Sequence, residues 1–463
     1  MVSPEAILAL SRQAVVAPAG HGKTELIAKV AALGTRTLVL THTHAGVHAI
    51  RARLKKLHVP SESVVVDTIA SWACKYVQAF PGRAGFPAAN PKTAQEWNNV
   101  YLGASLLLQS SVVRDVIRAS YDRVLIDEYQ DCEQYQHDIA MQLSSIVPTV
   151  IFGDPMQGIF EFVESRISWK TNVGGSFPQA YELQEPYRWA STNPELGQWI
   201  AQVRQQLQKG EPINLQGGPV RFIQSDSAFD MSLFFDDIDA RQGSTAGIYC
   251  WRNTCNDLAK TTRGAFQAIE EIAARRLIEF AAVWDDTSAN SAGRLNALRL
   301  LIDDAMTRAP ADPLQPVDPN LQSELLAAWD AFSNSGLESD ALEVLRLERA
   351  HPLNRTYRGE LITDARRALG ELVAGRHSSM VVASEAVRHR LSIAGRAPVA
   401  RTISTPLLLK GLEFDHVLIP DANHYVKQQH AAAKLFYVAI SRARYSLTIS
   451  AKTPILQFPL PNL

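Results

Sequence analysis

The order of apolar and polar residues along the 463-residue chain predicts strands and helices in alternation. Near the N-terminus, Val15 and Val16 lead into the small-residue loop "APAGHGKT", and helix-forming residues follow. Further along, the apolar run Val124, Leu125 and Ile126 ends in two adjacent acids, which is typical of a buried strand in a parallel sheet. We therefore predict an α/β fold with parallel sheets flanked by helices.

The region from about residue 256 to residue 400 has a helical period instead. An apolar stripe recurs at helical spacing, at Leu325, Ala328, Trp329 and Phe332. Gly336 follows this stripe as a stop signal. These positions predict a helix that turns one face to a core.

Two further patterns predict how this helical region is connected. Asp340 with Glu343 resembles a capping pair that opens another helix. In "APADPLQPVDPN", a proline occurs at every third position from Pro310 to Pro319, which matches polyproline II. We expect a stiff extended connector here, with a docking segment for a partner as the alternative.

Composition restricts the class of protein. Hydrophobic residues make up 46% and charged residues 20%, as in a soluble globular chain of two or more domains. No apolar run approaches the ~18 residues of a membrane span, and no signal pattern opens the chain, so we expect a cytoplasmic protein without membrane contact. The cysteines, at Cys74, Cys132, Cys250 and Cys255, show no metal-ligand spacing and are expected to be reduced thiols.

Net charge does not identify a partner, because at −1 it neither indicates nor excludes nucleic acid. One stretch, from Ala386 to Leu412, contains no acid. It contains Arg388, Arg390, Arg396, Arg401 and Lys410. A nucleic-acid groove and an ordinary solvated surface are both consistent with it.

The opening loop matches a phosphate-binding pattern in which Ala17 replaces the usual first glycine. Glycines at 20 and 22 let backbone N–H groups approach phosphate oxygens without a Cβ in the way. Lys23 would reach the β- and γ-phosphates, and the Thr24 hydroxyl would ligate Mg²⁺. The predicted nucleotide-binding loop comprises Ala17, Pro18, Ala19, Gly20, His21, Gly22, Lys23 and Thr24.

The second half of such a site is predicted at the end of the strand that runs from Val124 to Ile126. Carboxylates at the C-terminal end of a parallel strand lie beside the phosphate loop in open α/β sheets. We expect Asp127 to hold Mg²⁺ and Glu128 to orient and deprotonate the attacking water.

Together, "APAGHGKT" and "DEYQD" resemble the superfamily 1 helicases of the UvrD/Rep/PcrA type. Other segments resemble the remaining motifs of that family in order. They are "TLVLTHTHAGVHAIRARL", "VVVDTIASW", "IFGDPMQGIFEF", "LQEPYRW", "AGIYCWRN", "TPLLLKGLEFDHVLI" and "LFYVAISRARYSLTI". The resemblance implies two RecA-like domains, with ATP and Mg²⁺ bound between them.

The same resemblance assigns roles around the nucleotide. Gln157 would sense the γ-phosphate, and Tyr187 would stack on adenine while Glu413 contacts the ribose. Arg188 and Arg442 would come from the second domain and reach the γ-phosphate as arginine fingers, a role that suits the planar guanidinium.

For DNA, the family stacks bases on aromatic side chains that follow the Gln157 block, where Phe160 and Phe162 stand. The inward face of a strand is the alternative for these two rings. His42 replaces the family's phenylalanine and can still stack. Hydroxyls expected to contact DNA phosphates are those of Thr41, Thr43, Thr68 and Ser71.

The chain also departs from the family. We expect the upstream segment that carries the family's adenine-reading glutamine to be shortened or missing, since only fourteen residues precede Val15 and Gln13 is the sole glutamine nearby. Leu407 and Leu408 replace polar residues that support communication between ATP and DNA. Pro186 replaces asparagine, and Gly158 replaces serine. We therefore expect hydrolysis to be retained, whereas its coupling to DNA does not follow.

The implied domains are 1A (residues 1–75 and 120–184), a reduced insertion 1B (76–119), 2A (185–255 and 401–463) and a helical insertion 2B (256–400). The implied function is ATP-dependent 3′–5′ translocation on single-stranded DNA, with unwinding at single-strand/duplex junctions. The alternative is a DNA-stimulated ATPase subunit that regulates or recruits a nuclease or another defence subunit, as in Gabija-type phage defence. General DNA repair would leave the same motifs.

Overall fold

The computed structural model describes residues 2–85, 87–159, 167–269, 275–286, 291–310, 317–394 and 399–463. Contacts divide the chain into two compact units. Unit 1 contains residues 1–221, 423–446 and 454–463, and unit 2 contains residues 222–422 and 447–453. The predicted boundaries of the four domains follow motifs rather than contacts and stay a prediction.

Unit 1 is built on a six-stranded sheet in the order β3-β2-β4-β5-β1-β6, with every adjacent pair parallel. Its strands are β1 (Arg12–Val16), β2 (Thr37–Thr41), β3 (Val64–Thr68), β4 (Arg123–Ile126), β5 (Thr149–Gly153) and β6 (Gln179–Glu182). Helices between and after them are α1 (Pro4–Leu8), α2 (Lys23–Leu33), α3 (His44–Lys56), α4 (Ile69–Ala79), α5 (Ala94–Leu107), α6 (Ser111–Ser120), α7 (Gln134–Ser144), α8 (Gly174–Ser176) and α9 (Pro194–Lys209).

Alternating side chains of this sheet enter two different hydrophobic cores. Val39 and Leu125 join Ile27 and Ile50 of α2 and α3 on one face. On the other face, their strand neighbours meet Trp72 and the helices α4 to α7. Because both faces are covered, the central strands β2, β4 and β5 each contain a run of three buried apolar residues, as is typical of a parallel sheet.

Unit 2 contains most of a second six-stranded sheet, in the order β10-β13-β9-β14-β15-β8. In chain order, the remaining strands are β7 (Ile213–Asn214), β8 (Arg221–Gln224), β9 (Thr245–Ile248), β10 (Gln267–Ala268), β11 (Met306–Arg308), β12 (Asn354–Thr356), β13 (Arg401–Ser404), β14 (Phe414–Ile419), β15 (Ala443–Ala451) and β16 (Ile455–Leu456). Strands β10, β13, β9 and β14 pair in parallel. The predicted α/β class with parallel sheets is confirmed.

The remaining helices are α10 (Ser232–Phe235), α11 (Arg252–Thr261), α12 (Arg275–Asp285), α13 (Ser291–Asp303), α14 (Pro319–Ser335), α15 (Glu338–Ala350), α16 (Gly359–Val373), α17 (Met380–Ala394) and α18 (Ala432–Ile440). Of these, α12 to α17 form a separate helical cluster with its own core. This confirms the mainly helical second insertion.

The predicted apolar stripe lies on α14 and faces a core, as the sequence indicated. Leu325, Ala328 and Phe332 are buried, and the ring of Phe332 stacks on Trp284 with 5.8 Å between centroids. Gly336 follows α14 in the left-handed conformation (φ 63°), which favours glycine.

In the helical region, one local prediction was wrong, and a second was wrong at its C-terminal end. Helix α15 begins at Glu338, so Asp340 lies inside its first turn and accepts a hydrogen bond from Ser335 instead of capping the helix. Pro319 does not extend a connector, because it opens α14 after the N-cap residue Asp318. Residues 311–316, which contain the central prolines, lie outside the described residues.

In the acid-free stretch from Ala386 to Leu412, some of the basic side chains already have partners within the protein. Arg390 pairs with Glu371 at 2.6 Å, and Arg401 donates to the carbonyl of Ile238. Arg396 lies outside the described residues. These contacts favour a structural role for Arg390 and Arg401.

The four cysteines are free thiols, as predicted. In the part of the chain that the structure describes, no single helix is long and apolar enough to cross a membrane. Helices α5 and α6 reach that length and apolarity only as a pair bent by 90°. Both helices bury apolar residues in the core of unit 1.

We expect Phe332→Ala to destabilise the protein by about 3–5 kcal/mol, because it removes a fully buried ring from the α12–α17 core. Leu326→Ala on the same helix is the matched control, since that side chain is 58% exposed, and its effect should stay within about 0.5 kcal/mol. Urea unfolding of both variants measures the difference. Equal losses would contradict the assignment of the core face.

Candidate nucleotide-binding site

Because the strands of the first sheet are parallel, their carboxyl ends lie along one edge. The loop of residues 17–22 follows β1, Asp127 follows β4, and Asp154 follows β5. Strand β5 lies between β1 and β4. Three sequence-distant segments therefore meet at one edge of the sheet, which is where open α/β sheets bind ligands.

The loop after β1 has the geometry of a phosphate cradle. Gly20 (φ 75°) and Gly22 (φ 81°) adopt the left-handed conformation, and α2 begins at Lys23. The first N–H groups of a helix have no partner within it, and they carry a positive partial charge. The loop is fixed at its base because Ala17 donates to the carbonyl of Gly153 at 2.8 Å.

The Lys23 ammonium group bonds to the carboxylates of both Asp127 and Glu128. Asp127 is buried, and its side chain also accepts a hydrogen bond from the backbone N–H of Glu128 at 2.8 Å. Glu128 has φ 55° without being glycine, a conformation that costs energy and occurs often at functional sites. Lys23 and the two predicted acids are thus in contact.

Burial and neighbouring charges shift the pKa values of Lys23 and Asp127 in opposite directions. Burial lowers the pKa of Lys23, but Asp127 and Glu128 outweigh it, so the pKa lies above its usual value. Burial raises the pKa of Asp127 despite the opposing charge of Lys23. The lysine therefore remains charged at neutral pH.

The residues at this edge fit a magnesium nucleotide. The glycine loop and the start of α2 leave N–H groups for phosphate oxygens, while Lys23 supplies a cation. Thr24 and Asp127 carry side-chain oxygens of the kind that Mg²⁺ prefers as ligands, and their role with the metal stays a prediction. Among the described residues no cluster of three or more metal-binding side chains occurs. Mg²⁺ in this site would depend on phosphate oxygens as well as protein.

Of the two predicted arginines, Arg188 lies beside the loop and Arg442 lies in the same unit. The sequence predicts that Arg188 and Arg442 come from a second domain, whereas contacts place both in unit 1 with Lys23. The reason is local: the N–H of Arg188 donates to the carbonyl of Gly20 at 2.9 Å, and its guanidinium bonds to the carbonyl of Ser441. Arg442 is 2% exposed and donates to the carbonyl of Val438.

Tyr187 also lies at the loop. A Cβ at Gly22 would stand 3.0 Å from the Tyr187 ring, so the ring packs directly on this glycine. Tyr187 is 42% exposed, and its stacking on adenine stays a prediction. Glu413 is an exposed residue of unit 2, and Phe160 and Phe162 lie outside the described residues.

Gln157 is held by a network that sequence analysis did not identify. Its side chain donates to Asp154 at 3.1 Å, and Arg204 of α9 donates to the same carboxylate at 3.0 Å. Tyr437 of α18 accepts a hydrogen bond from the N–H of Ala19 at 2.9 Å. Asp154 and Tyr437 lie within motifs that the sequence analysis quotes. Arg204 lies in none of them, and the sequence shows it only as a charged residue on the apolar face of a helix.

Two of the predicted DNA-contacting hydroxyls cap helices. Thr43 accepts from the N–H of Gly46, and Thr68 accepts from the N–H of Ser71, so each caps a helix. Thr41 is buried at the end of β2. The His42 ring lies 3.3 Å from the sulfur of Cys132. These residues share the edge that carries Lys23, and their role with DNA stays a prediction.

We expect Gly20→Ala to destabilise the protein by at least roughly 1–2 kcal/mol, because φ 75° is unfavourable for alanine and its Cβ would lie 2.6 Å from the Trp189 ring. Gly370→Ala is the matched control: it has no neighbour within 4 Å, lies inside α16 and should stabilise by about 0.5–1 kcal/mol. Thermal unfolding compares them. A neutral Gly20→Ala would contradict the loop geometry.

Comparisons with known proteins agree with this site. Residues 88–178, which include β4, Asp127 and Glu128, match the family described as UvrD/REP helicase N-terminal domain. The chain is also 33% identical over 90 residues to a protein of Oenococcus oeni described as an ATP-dependent helicase/nuclease subunit. That match covers 18% of this chain and 7% of the relative.

A solved structure of Pif1 helicase from Candida albicans aligns with 57% of this chain and 53% of its own, at 12% identity and a TM-score of 0.32. A TM-score this low supports no conclusion about the fold or the function of this chain. The sequence match and the loop geometry stand independently of it. Residues 88–178 of this chain are therefore similar to the family described as UvrD/REP helicase N-terminal domain.

Proposed function

We propose that this protein is an ATP-dependent motor on single-stranded DNA that hydrolyses ATP at the carboxyl edge of the first sheet. The observation that carries the proposal is the contact of Lys23 with Asp127 and Glu128 beside a glycine loop. Location in the cytoplasm and movement from 3′ to 5′ belong to the same proposal.

In the proposed reaction, the loop amides and Lys23 bind the β- and γ-phosphates. Mg²⁺ held by Thr24 and Asp127 would supply charge neutralisation on the phosphate oxygens. Glu128 orients the attacking water and accepts its proton, which requires Lys23 to exchange part of its carboxylate contact for phosphate. Gln157 contacts the γ-phosphate, while Arg188 and Arg442 stabilise the charge that develops there.

For DNA, we propose that His42 and the aromatic residues after Gln157 stack on bases, with the hydroxyls at the ends of β2 and β3 contacting phosphates. Stacking contributes about 1–3 kcal/mol per base and tolerates any sequence, which suits a translocating protein. Cycles of ATP binding and release at the same edge would then move the bound strand.

A second candidate is a DNA-stimulated ATPase subunit that regulates or recruits a nuclease, with little or no unwinding. The described function of the Oenococcus oeni relative, a helicase/nuclease subunit, favours it. The segment 76–119 favours it too, because its described residues contain only α5 and α6 beyond the end of α4. A role in phage defence and a role in DNA repair both fit this candidate.

We expect wild-type protein to hydrolyse ATP faster when single-stranded DNA is present and Lys23→Ala to lose turnover by at least about 10²-fold, since it removes the cation that binds phosphate. Strand displacement on 3′- and 5′-tailed duplexes separates the candidates. Unwinding of the 3′-tailed substrate supports the motor, and DNA-stimulated hydrolysis without unwinding supports the subunit. Turnover by Lys23→Ala equal to wild type would refute both.

Arg442→Ala should abolish turnover while ATP binding persists, because the guanidinium acts on charge that develops during the reaction. Arg444→Ala is the matched control two residues away, where the side chain lies over the Tyr445 ring and no role in hydrolysis is assigned. Steady-state hydrolysis and binding of a fluorescent ATP analogue measure the two effects. An Arg442→Ala variant with normal turnover contradicts the assignment.

A further inference from the structure

The Asp154 carboxylate lies at the centre of a buried network in unit 1. It follows β5, is 1% exposed, and accepts hydrogen bonds from Gln157 at 3.1 Å and from the N–H of Met156 at 3.2 Å. A buried carboxylate needs such partners, because an unpaired charge in the interior is costly. The geometry of Gln157 is therefore tied to that of Asp154.

Arg204 anchors this carboxylate. From α9, its Nε and Nη2 donate to one oxygen of Asp154 at 3.3 and 3.0 Å, and its Nη1 donates to Glu182 at 2.7 Å. The side chain is 5% exposed. Burial lowers the pKa of Arg204, but Asp154 outweighs it, so the guanidinium stays charged. One residue thus links the ends of β5 and β6.

Tyr437 extends the network to the phosphate loop. Its helix, α18, packs against α9 and against the turn Pro155–Gln157. The phenol is buried and faces Asp154, and burial with that carboxylate raises its pKa. Its oxygen accepts the hydrogen bond from the N–H of Ala19 at 2.9 Å. The chain of contacts runs from the loop through Tyr437 to Asp154 and Gln157.

We propose that Arg204 is a positioning residue for the nucleotide site: by anchoring Asp154, it fixes Gln157 and, through Tyr437, the phosphate loop in one arrangement. This inference rests on the proposed ATP hydrolysis. Arg204 itself touches neither the loop nor the acids that bond to Lys23 in any described hydrogen bond. It acts on the reaction only through the residues it holds.

A double-mutant cycle tests whether Arg204 acts through Gln157. We expect Arg204→Met to lower the maximal rate of DNA-stimulated ATP hydrolysis by about tenfold in the wild-type background and by less than about twofold when Gln157→Ala is present. Arg204→Lys should recover part of the rate, since it restores one charged donor. A tenfold loss in both backgrounds, or no loss in either, would overturn the inference.

Arg294→Met is the control for a purely structural effect. Arg294 also pairs with an acid, Glu338, and lies over the Trp284 ring, but it belongs to the helical cluster of unit 2. We expect it to lower the melting temperature without changing the rate of hydrolysis. An equal loss of rate in Arg294→Met would show that loss of stability alone explains the Arg204 result, and would overturn the inference.

A second variant keeps the test decisive if Arg204→Met does not fold. Tyr437→Phe removes only the hydroxyl that accepts from Ala19, and binding of a fluorescent ATP analogue with Mg²⁺ should weaken by at least about threefold. Unchanged affinity would overturn the link to the loop. If wild-type protein binds ATP without hydrolysing it, the proposed function fails while this comparison still decides the inference. If wild-type protein binds no ATP, both are refuted.

Discussion

The contact of one buried ammonium group with two carboxylates is the interaction on which the site depends. Lys23 opens the first long helix, and its partners follow a strand more than a hundred residues later. Removing Lys23 would leave two adjacent carboxylates without a compensating cation, which is costly in a poorly solvated site. In the proposed function, Lys23 exchanges part of its contact with these carboxylates for phosphate when a magnesium triphosphate binds.

The sheet brings these charges together. Parallel strands direct every carboxyl end to one edge, and β5 between β1 and β4 sets the spacing of the loop from the acids. A second buried cluster, around Asp154, lies at the end of that intervening strand. Helices α9 and α18 complete it from distant parts of the chain. The site is therefore a property of the sheet edge and the two helices, rather than of the glycine loop alone.

The sequence predicted well what depends on local residues. Glycine at 20 and 22, the acids at 127 and 128, and the stripe that ends at Phe332 each have a short-range pattern with a direct physical cause. Contacts between residues that are far apart in the sequence leave no such short-range pattern. Arg204 is the clearest case, since its partner Asp154 lies fifty residues away. The placement of Arg188 beside Gly20 was missed for the same reason. Capping failed at Asp340 because α15 begins two residues earlier, at Glu338, and Asp340 accepts a hydrogen bond from Ser335 instead.

The central claim is that Lys23 releases part of its carboxylate contact to bind phosphate, and equilibrium calorimetry with a non-hydrolysable ATP analogue tests it most directly. The account predicts binding that depends on Mg²⁺ and that weakens by at least about tenfold in Lys23→Ala, since a charge-assisted contact is worth about 1.5–3 kcal/mol. Equal affinity in the wild-type and Lys23→Ala proteins would contradict it.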